Sequence, residues 1–263
     1  MTLPLWKPIS RREGYSGFWA RATPTDAIGG LSLRYKALAV RYMYLKLAQL
    51  LKPRQVARIV AMLAEAPITS GVVTAGALAA SVKSNIELAP GKIKSEIGLM
   101  IKTALMMNDE FKSFALPRRI LEPEIARYGC GMMYGDHVDA AIFNMHADNA
   151  FRTDLSMTLF LTAITDYSGG ELVIREESQE TQVKFDSGDA IVYSADARHS
   201  VAKVDQGTRL VAVTWIQSYV KDSRQRNILH TLTKASNEIS EHHEPLLLLS
   251  QVYNSLLRMW SDV

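Results

Sequence analysis

The sequence predicts a mainly β fold with flanking helices, its core an antiparallel sandwich or barrel. Three observations carry this reading. Between residues 155 and 217, short segments rich in strand formers are separated by turn signals every eight to twelve residues. Helical spacing is absent from that stretch, whereas apolar residues fall at helical spacing on either side of it.

The elements follow in order. Val56, Ile59, Val60 and Leu63 make an amphipathic helix after Pro53. Ile93, Ile97, Met100, Ile101 and Leu105 make a second helix, ending near Asn108, and such helices would cover one outer face of the sheet. Leu155 to Thr162 reads as a buried strand. Ser168-Gly169-Gly170 turns into Glu171-Leu172-Val173-Ile174, and Thr181 to Phe185 alternates. Ser187-Gly188-Asp189 turns into Ala190-Ile191-Val192-Tyr193, and Asp205-Gln206-Gly207 into Thr208 to Gln217. Ile228, Leu229 and Leu232 begin a further helix. Leu249, Val252, Tyr253, Leu256, Leu257 and Trp260 form a stripe on the last one, which serves core packing or a homodimer interface.

Chemistry concentrates at His137-Val138-Asp139, His199 and Arg209. Two imidazoles and one carboxylate form the ligand set of a mononuclear non-haem Fe(II) centre with open positions. The triplet alone is weak, because chance supplies about 0.6 His-x-Asp/Glu triplets in this composition, and the chain holds three. His146-Ala147-Asp148 lies in a polar loop. His242-His243-Glu244 reads as the solvated start of a helix. His137 can open an extended segment, which would put it on one face with Asp139. If the last turn centres on Gln206, His199 lies opposite Val213, four residues along the strand from Arg209. That spacing suits a five-carbon dicarboxylate between a metal and the guanidinium. Arg209, Val211, Val213 and Trp215 share a face, so the Arg projects into an apolar interior, where an acidic side chain is the alternative partner.

From Met43 to Val263 the chain resembles the PKHD-type hydroxylases, bacterial Fe(II)/2-oxoglutarate dioxygenases related to the prolyl and lysyl hydroxylase catalytic domain. The resemblance rests on Leu51-Lys52-Pro53-Arg54-Gln55-Val56, Arg127-Tyr128, Tyr134-Gly135-Asp136-His137-Val138-Asp139 and Arg152-Thr153-Asp154-Leu155-Ser156. It continues through Gly169-Gly170-Glu171-Leu172, Gly188-Asp189, Tyr193, His199, Arg209, Trp215-Ile216-Gln217-Ser218 and Leu257-Arg258-Met259-Trp260. It implies a double-stranded β-helix (jelly-roll) core, Fe(2+) held by His137, Asp139 and His199, and 2-oxoglutarate gripped at its distal carboxylate by Arg209. It also implies succinate and carbon dioxide as co-products and L-ascorbate as the reductant of the iron. Asp139 favours hydroxylation over halogenation, since related halogenases carry a small residue there. Iron uptake is the implied setting, with a siderophore or a protein side chain as substrate.

Tyr128 is a candidate for hydrogen bonding the co-substrate or for the core or rim; Tyr193 and Thr158 are weaker candidates. Cys130, the only cysteine, allows no intrachain disulfide and is expected to pack; it fits a reducing cytoplasm. Met106-Met107 and Met132-Met133 are expected to pack adaptably. Loops at 66–92 and 140–152 are expected to choose the substrate.

Four regions result: a basic extension over 1–42, a helical and mixed support over 43–124, the jelly-roll over 125–218, and a helical region over 219–263. Residues 1–42 hold seven basic and two acidic residues, leaving 23 basic and 25 acidic in the remainder, so the sequence pI of 8.9 is no sign of nucleic-acid binding by the body. The extension is expected to be loosely ordered or to stem from an upstream start codon. No apolar run reaches membrane-spanning length and no signal-peptide core is seen, so neither a membrane nor secretion is expected. The competing readings are a non-catalytic iron- or 2-oxoglutarate-sensing barrel and, more distantly, a metal-dependent isomerase on a cupin-like barrel.

Overall fold

The computed structural model describes residues 44–263 apart from 65, 75–79, 177–178 and 240–242; the basic extension lies outside these. Two antiparallel sheets face each other. The larger holds β1 (Tyr44–Leu47), β2 (Ile68–Ser70), β4 (Ile86–Leu88), β5 (Pro117–Ile120), β6 (Glu124–Tyr128), β10 (Leu155–Phe160), β14 (Ala190–Ser194) and β17 (Arg209–Ser218). Its order is β1-β14-β10-β17-β6-β4-β2, with β5 also on β17. The smaller runs β13 (Gln179–Val183), β12 (Leu172–Glu176), β15 (Arg198–Val201), β7 (Met133–His137), β3 (Lys83–Ser84). Two further pairs join β8 (Ile142–Phe143) to β9 (Phe151–Arg152) and β11 (Tyr167–Gly169) to β16 (Val204–Gly207). The fold is therefore mainly β with a jelly-roll core.

Period-two alternation assigns the two faces of the large sheet. Met157, Leu159, Ala212 and Ile216 point outward, into a core shared with Val56, Ile59, Ile97, Ile101, Leu105 and Phe111. Those residues lie on α1 (Pro53–Leu63), α2 (Lys92–Met106) and α3 (Asp109–Ala115), so the predicted helices do cover one outer face. Residues one step along, Phe160, Ile191, Tyr193 and Val211, point inward onto Leu172, Ile174, Val183 and Val201 of the smaller sheet. The short α3 was not expected from apolar spacing. It follows from local chemistry: Asn108 caps it by accepting from the Phe111 N–H at 2.8 Å, and Leu116 closes it in the left-handed region.

Beyond the sheets lie α4 (Ser223–Glu238), capped by Asp222, and α5 (His243–Trp260). Tyr253, Leu256, Leu257 and Trp260 pack on Leu116, Val220 and Leu229, so part of the last stripe is core packing. Leu247, Leu248, Val252 and Met259 face solvent. Glu244 sits in the first turn of α5 as a helix-start carboxylate should, and His242 lies outside the described residues. No helix among the described residues is long and apolar enough to cross a membrane. Two packing expectations fail: Cys130 is exposed, its thiol donating to the Asp205 carbonyl at 3.0 Å, and Met106, Met107 and Met133 are exposed while Met132 alone packs inward. The reason is local. Met106 and Met107 end a helix, and Cys130 sits on the turn between β6 and β7.

Candidate metal centre and its pocket

His137 closes strand β7 rather than opening one, and Asp139 stands just beyond it. The pairing of β15 with β7 matches His199 to His137 and Val201 to Tyr134. One residue on β15, Ser200, thus lies opposite two on β7, Gly135 and Asp136, which is a β-bulge. Bulges re-aim side chains beside functional sites. Here the extra residue lets Tyr134 and His137, an odd number apart, both face inward, with their rings stacked 3.7 Å apart.

The expected hairpin geometry is overturned. His199 pairs with His137 and Ile174, not with Val213, because β15 and β17 belong to facing sheets and β16 turns away to pair with β11. His199 and Arg209 meet across the interior instead. Both line a cavity of about 300 Å³ with His137 and Asp139, and Tyr128, Thr158 and Tyr193 line it too. His146 lies in an exposed turn, away from that cavity lining.

One donor atom from each of His137, Asp139 and His199 lies within 4.8 Å of the other two. The His199 Nε2 is 3.8 Å from Asp139 Oδ1, and the buried Oδ2 of Asp139 has no hydrogen-bond partner. The imidazoles are oriented by backbone. His137 Nδ1 lies 2.8 Å from the Gly135 carbonyl, and His199 Nδ1 lies 2.9 Å from that of Ala197. A carbonyl only accepts, so each Nδ1 carries the proton and each Nε2 presents its lone pair. Burial and the neighbouring His199 push His137 down to about 4, which keeps it neutral and ligand-competent near neutral pH.

At the other end, Arg209 is 1% exposed, its guanidinium over the rings of Tyr128 and Phe160. Burial lowers its pKa, an effect that Tyr128, Tyr167 and Tyr193 oppose. Its Nε and Nη1 have no hydrogen-bond partner, and among the described residues no carboxylate pairs with it. A buried, charged fork with two nitrogens lacking an acceptor has the chemistry to hold an anion. The acidic-partner alternative for Arg209 is thereby removed.

Similarity to known proteins agrees with this chemistry. Residues 123–217 match the 2OG-Fe(II) oxygenase superfamily. A PKHD-type hydroxylase of Caulobacter vibrioides is 40% identical over 227 residues, covering 84% of this chain and all of that protein. The chain belongs to the PKHD-type hydroxylases. A second PKHD-type hydroxylase, from Beijerinckia indica, is 38% identical over 226 residues, with 84% of this chain and all of the relative covered. An oxidoreductase of the 2OG-Fe(II) oxygenase family from Burkholderia pseudomallei, known from its crystal structure, shares the fold. It has a TM-score of 0.50 at 20% identity and covers 73% of this chain and 93% of its own. This PKHD-type hydroxylase is a 2-oxoglutarate-dependent dioxygenase, and its family implies Fe(2+) and 2-oxoglutarate. Its residues fit both: three convergent donors with an unpartnered carboxylate oxygen, and a buried guanidinium with two acceptor-less nitrogens sharing their cavity.

Some cavity residues escaped the sequence reading. Lys83 and Glu87 form a buried pair at 2.6 Å on its wall, and Lys83 lies over the Tyr134 ring. Nothing in their spacing marks them, because β3 and β4 join different sheets. Tyr134 was concealed by the bulge.

Proposed function

We propose that this hydroxylase binds Fe(II) through His137, Asp139 and His199 and 2-oxoglutarate through Arg209, and that it hydroxylates a C–H bond of a small molecule or a protein side chain, releasing succinate and CO2. The observation that carries the reading is the buried Arg209, with no carboxylate partner among the described residues and two nitrogens lacking an acceptor, in the same cavity as the three convergent donors. When bound, iron and 2-oxoglutarate supply with O2 the oxidising power for the C–H step. The protein's own contribution is placement. Gly135 and Ala197 hold the imidazoles in the ligating tautomer. Arg209 neutralises the distal carboxylate of the co-substrate. Tyr128, buried under the guanidinium and pushed up to about 12 by burial, stays protonated and can donate to that co-substrate.

The substrate enters between the two loop regions expected to select it, since Lys83 and Glu87 come from one and Ala140 and Phe143 from the other. The lining there mixes an ion pair with Val138, Val213 and Trp215, so the group inserted is small and largely apolar. Ascorbate supports turnover by keeping iron ferrous, the setting is cytoplasmic iron uptake, and nucleic acid is not a partner. A second copy docks on the outward Leu248, Val252 and Met259 of α5; V252E would leave a monomer on size-exclusion chromatography.

The test is succinate release by anaerobically Fe(II)-loaded protein, screened for stimulation by candidate substrates. A stimulating compound that gains one oxygen in mass identifies the reaction. Absence of succinate with and without every candidate, from protein that binds iron, overturns the proposal.

A further inference from the structure

The outer face of the smaller sheet, away from the cavity, carries a second arrangement. Asp136 precedes His137 and Ser200 follows His199, so strand alternation turns both outward as the imidazoles turn inward. Arg175, on the neighbouring β12, reaches both. Its Nη1 donates to Asp136 Oδ1 and, at 2.8 Å, to Ser200 Oγ, so each of the two hydrogens on that nitrogen has an acceptor. Its Nε lies 3.1 Å from Glu180 Oε2 on β13. A single guanidinium, its side chain only 26% exposed, is thus tied to the residue adjacent to each histidine.

Backbone pairing is interrupted at this place. The β12–β15 ladder matches four consecutive residue pairs without interruption. The β15–β7 ladder matches only His199 with His137 and Val201 with Tyr134, with the bulge between them. A bulge leaves one residue unpaired and lets the strand bend, so the spacing of the two imidazoles is not fixed by the ladder alone. Like charge would also push here, since Arg175 and Arg198 are direct cross-strand neighbours. Asp136 lies near both, its Oδ2 at 3.9 Å from Arg198 Nε.

We propose that Arg175 is a positioning residue for the metal centre. It clamps β7 to β15 from the outside, through Asp136 and Ser200, and so holds His137 and His199 at the separation one ion requires. The inference rests on the ligand roles proposed above. Its contribution is geometric: exposed ion pairs add little to folding free energy, yet groups behind metal ligands alter affinity strongly.

The experiment is calorimetric titration of the metal-free protein with Mn(II), alongside thermal melts. R175M, which keeps the aliphatic stem, should weaken Mn(II) binding by about 10-fold or more while the protein stays folded at the titration temperature. D136N and S200A should each lose part of that amount, and R175K should recover part of it. E96Q, in the distant exposed Arg58–Glu96 pair, should bind Mn(II) like the wild type. A folded R175M that binds Mn(II) within about twofold of wild type overturns the proposal, even if its melting temperature falls, because a merely structural brace would do only that. Should R175M not fold, D136N and S200A decide, and unchanged affinity in both overturns it equally. H199A separates the two levels: wild-type affinity in that variant refutes the ligand assignment and the clamp with it, whereas lost binding in H199A beside unchanged binding in R175M refutes the clamp alone.

Discussion

Arg209 and Tyr128 are cross-strand partners on β17 and β6, and the guanidinium carbon lies 5.0 Å from the centre of the tyrosine ring. The tyrosine face offers the cation an attraction but no hydrogen-bond acceptor, and Nε and Nη1 of Arg209 are buried without one. The pair therefore offers the proposed co-substrate a seat, a buried positive charge beside an aromatic face.

Removing the charge should separate binding from stability. R209M is expected to weaken 2-oxoglutarate by about 2–5 kcal/mol, the cost of stripping a buried charged partner. The same substitution should leave the melting temperature of the protein free of 2-oxoglutarate unchanged or raised, because an uncompensated buried charge is replaced by an apolar chain of similar length. Titration of 2-oxoglutarate against thermal melts checks both. Retained affinity with a lowered melting temperature would make Arg209 a structural residue.

Gly170 supports that seat from below. Its φ is +68°, and a Cβ there would lie 3.0 Å from both Arg209 Cδ and Val204 Cγ2. G170A should therefore cost about 1–3 kcal/mol of stability from backbone strain and displace the guanidinium. The KM for 2-oxoglutarate should rise several-fold while Mn(II) affinity stays at the wild-type value. An equal loss in both would place the damage in the whole fold.

These relationships divide into what was legible in the sequence and what was not. The inward projection of Arg209 was legible, since period two held through Val211, Val213 and Trp215 without a break. The helix-covered face was legible for the same reason, with period 3.6 in place of two. The route by which His199 meets Arg209 was not. A turn signal at Asp205-Gln206-Gly207 looks like a hairpin between the flanking strands, and only tertiary pairing of β16 with β11 sends those strands to opposite sheets. Tyr134 and Arg175 were hidden for a related reason: a bulge breaks alternation, and a cross-strand partner leaves no trace in local spacing.

His230 gives the protein an acid limit unconnected with the metal. It is 1% exposed, with Nδ1 2.9 Å from Ser113 Oγ and its ring edge-on to Phe114. Burial, with a smaller contribution from Lys234, lowers it from 6.5 to about 4. Between those values the unfolded chain binds a proton that the folded chain refuses, so stability rises with pH across the window and is complete above it. Acidification from 6.5 toward 4 should remove up to about 3 kcal/mol from this group, at 1.36 kcal/mol per unit. Urea unfolding at several pH values should give a shallower slope over that range for H230Q. An identical slope in the variant would assign the acid sensitivity to other groups.

Phe143 tests whether the cavity has separate co-substrate and substrate ends. Its ring meets Trp215 edge-on at 5.0 Å, and Val138 and Ala140 line the same cavity. Arg209, Tyr128 and Thr158 also line the cavity but come from the inner face of the large sheet, whereas Phe143 is carried by the small β8–β9 pair. Phe143 is only partly buried, and the edge-to-face contact adds about 0.5–1.5 kcal/mol beyond that burial, so the chain should stay folded without the ring. F143A should thus retain slow 2-oxoglutarate decarboxylation without primary substrate, and retain Mn(II) affinity. With a stimulating substrate, it should raise that substrate's KM and release more succinate per hydroxylated product, because the target C–H is held less firmly. The ratio of succinate to oxygenated product, measured by mass spectrometry, is the decisive quantity. A fall in substrate-free decarboxylation with that ratio unchanged would move Phe143 to the co-substrate end and remove the β8–β9 pair from substrate selection.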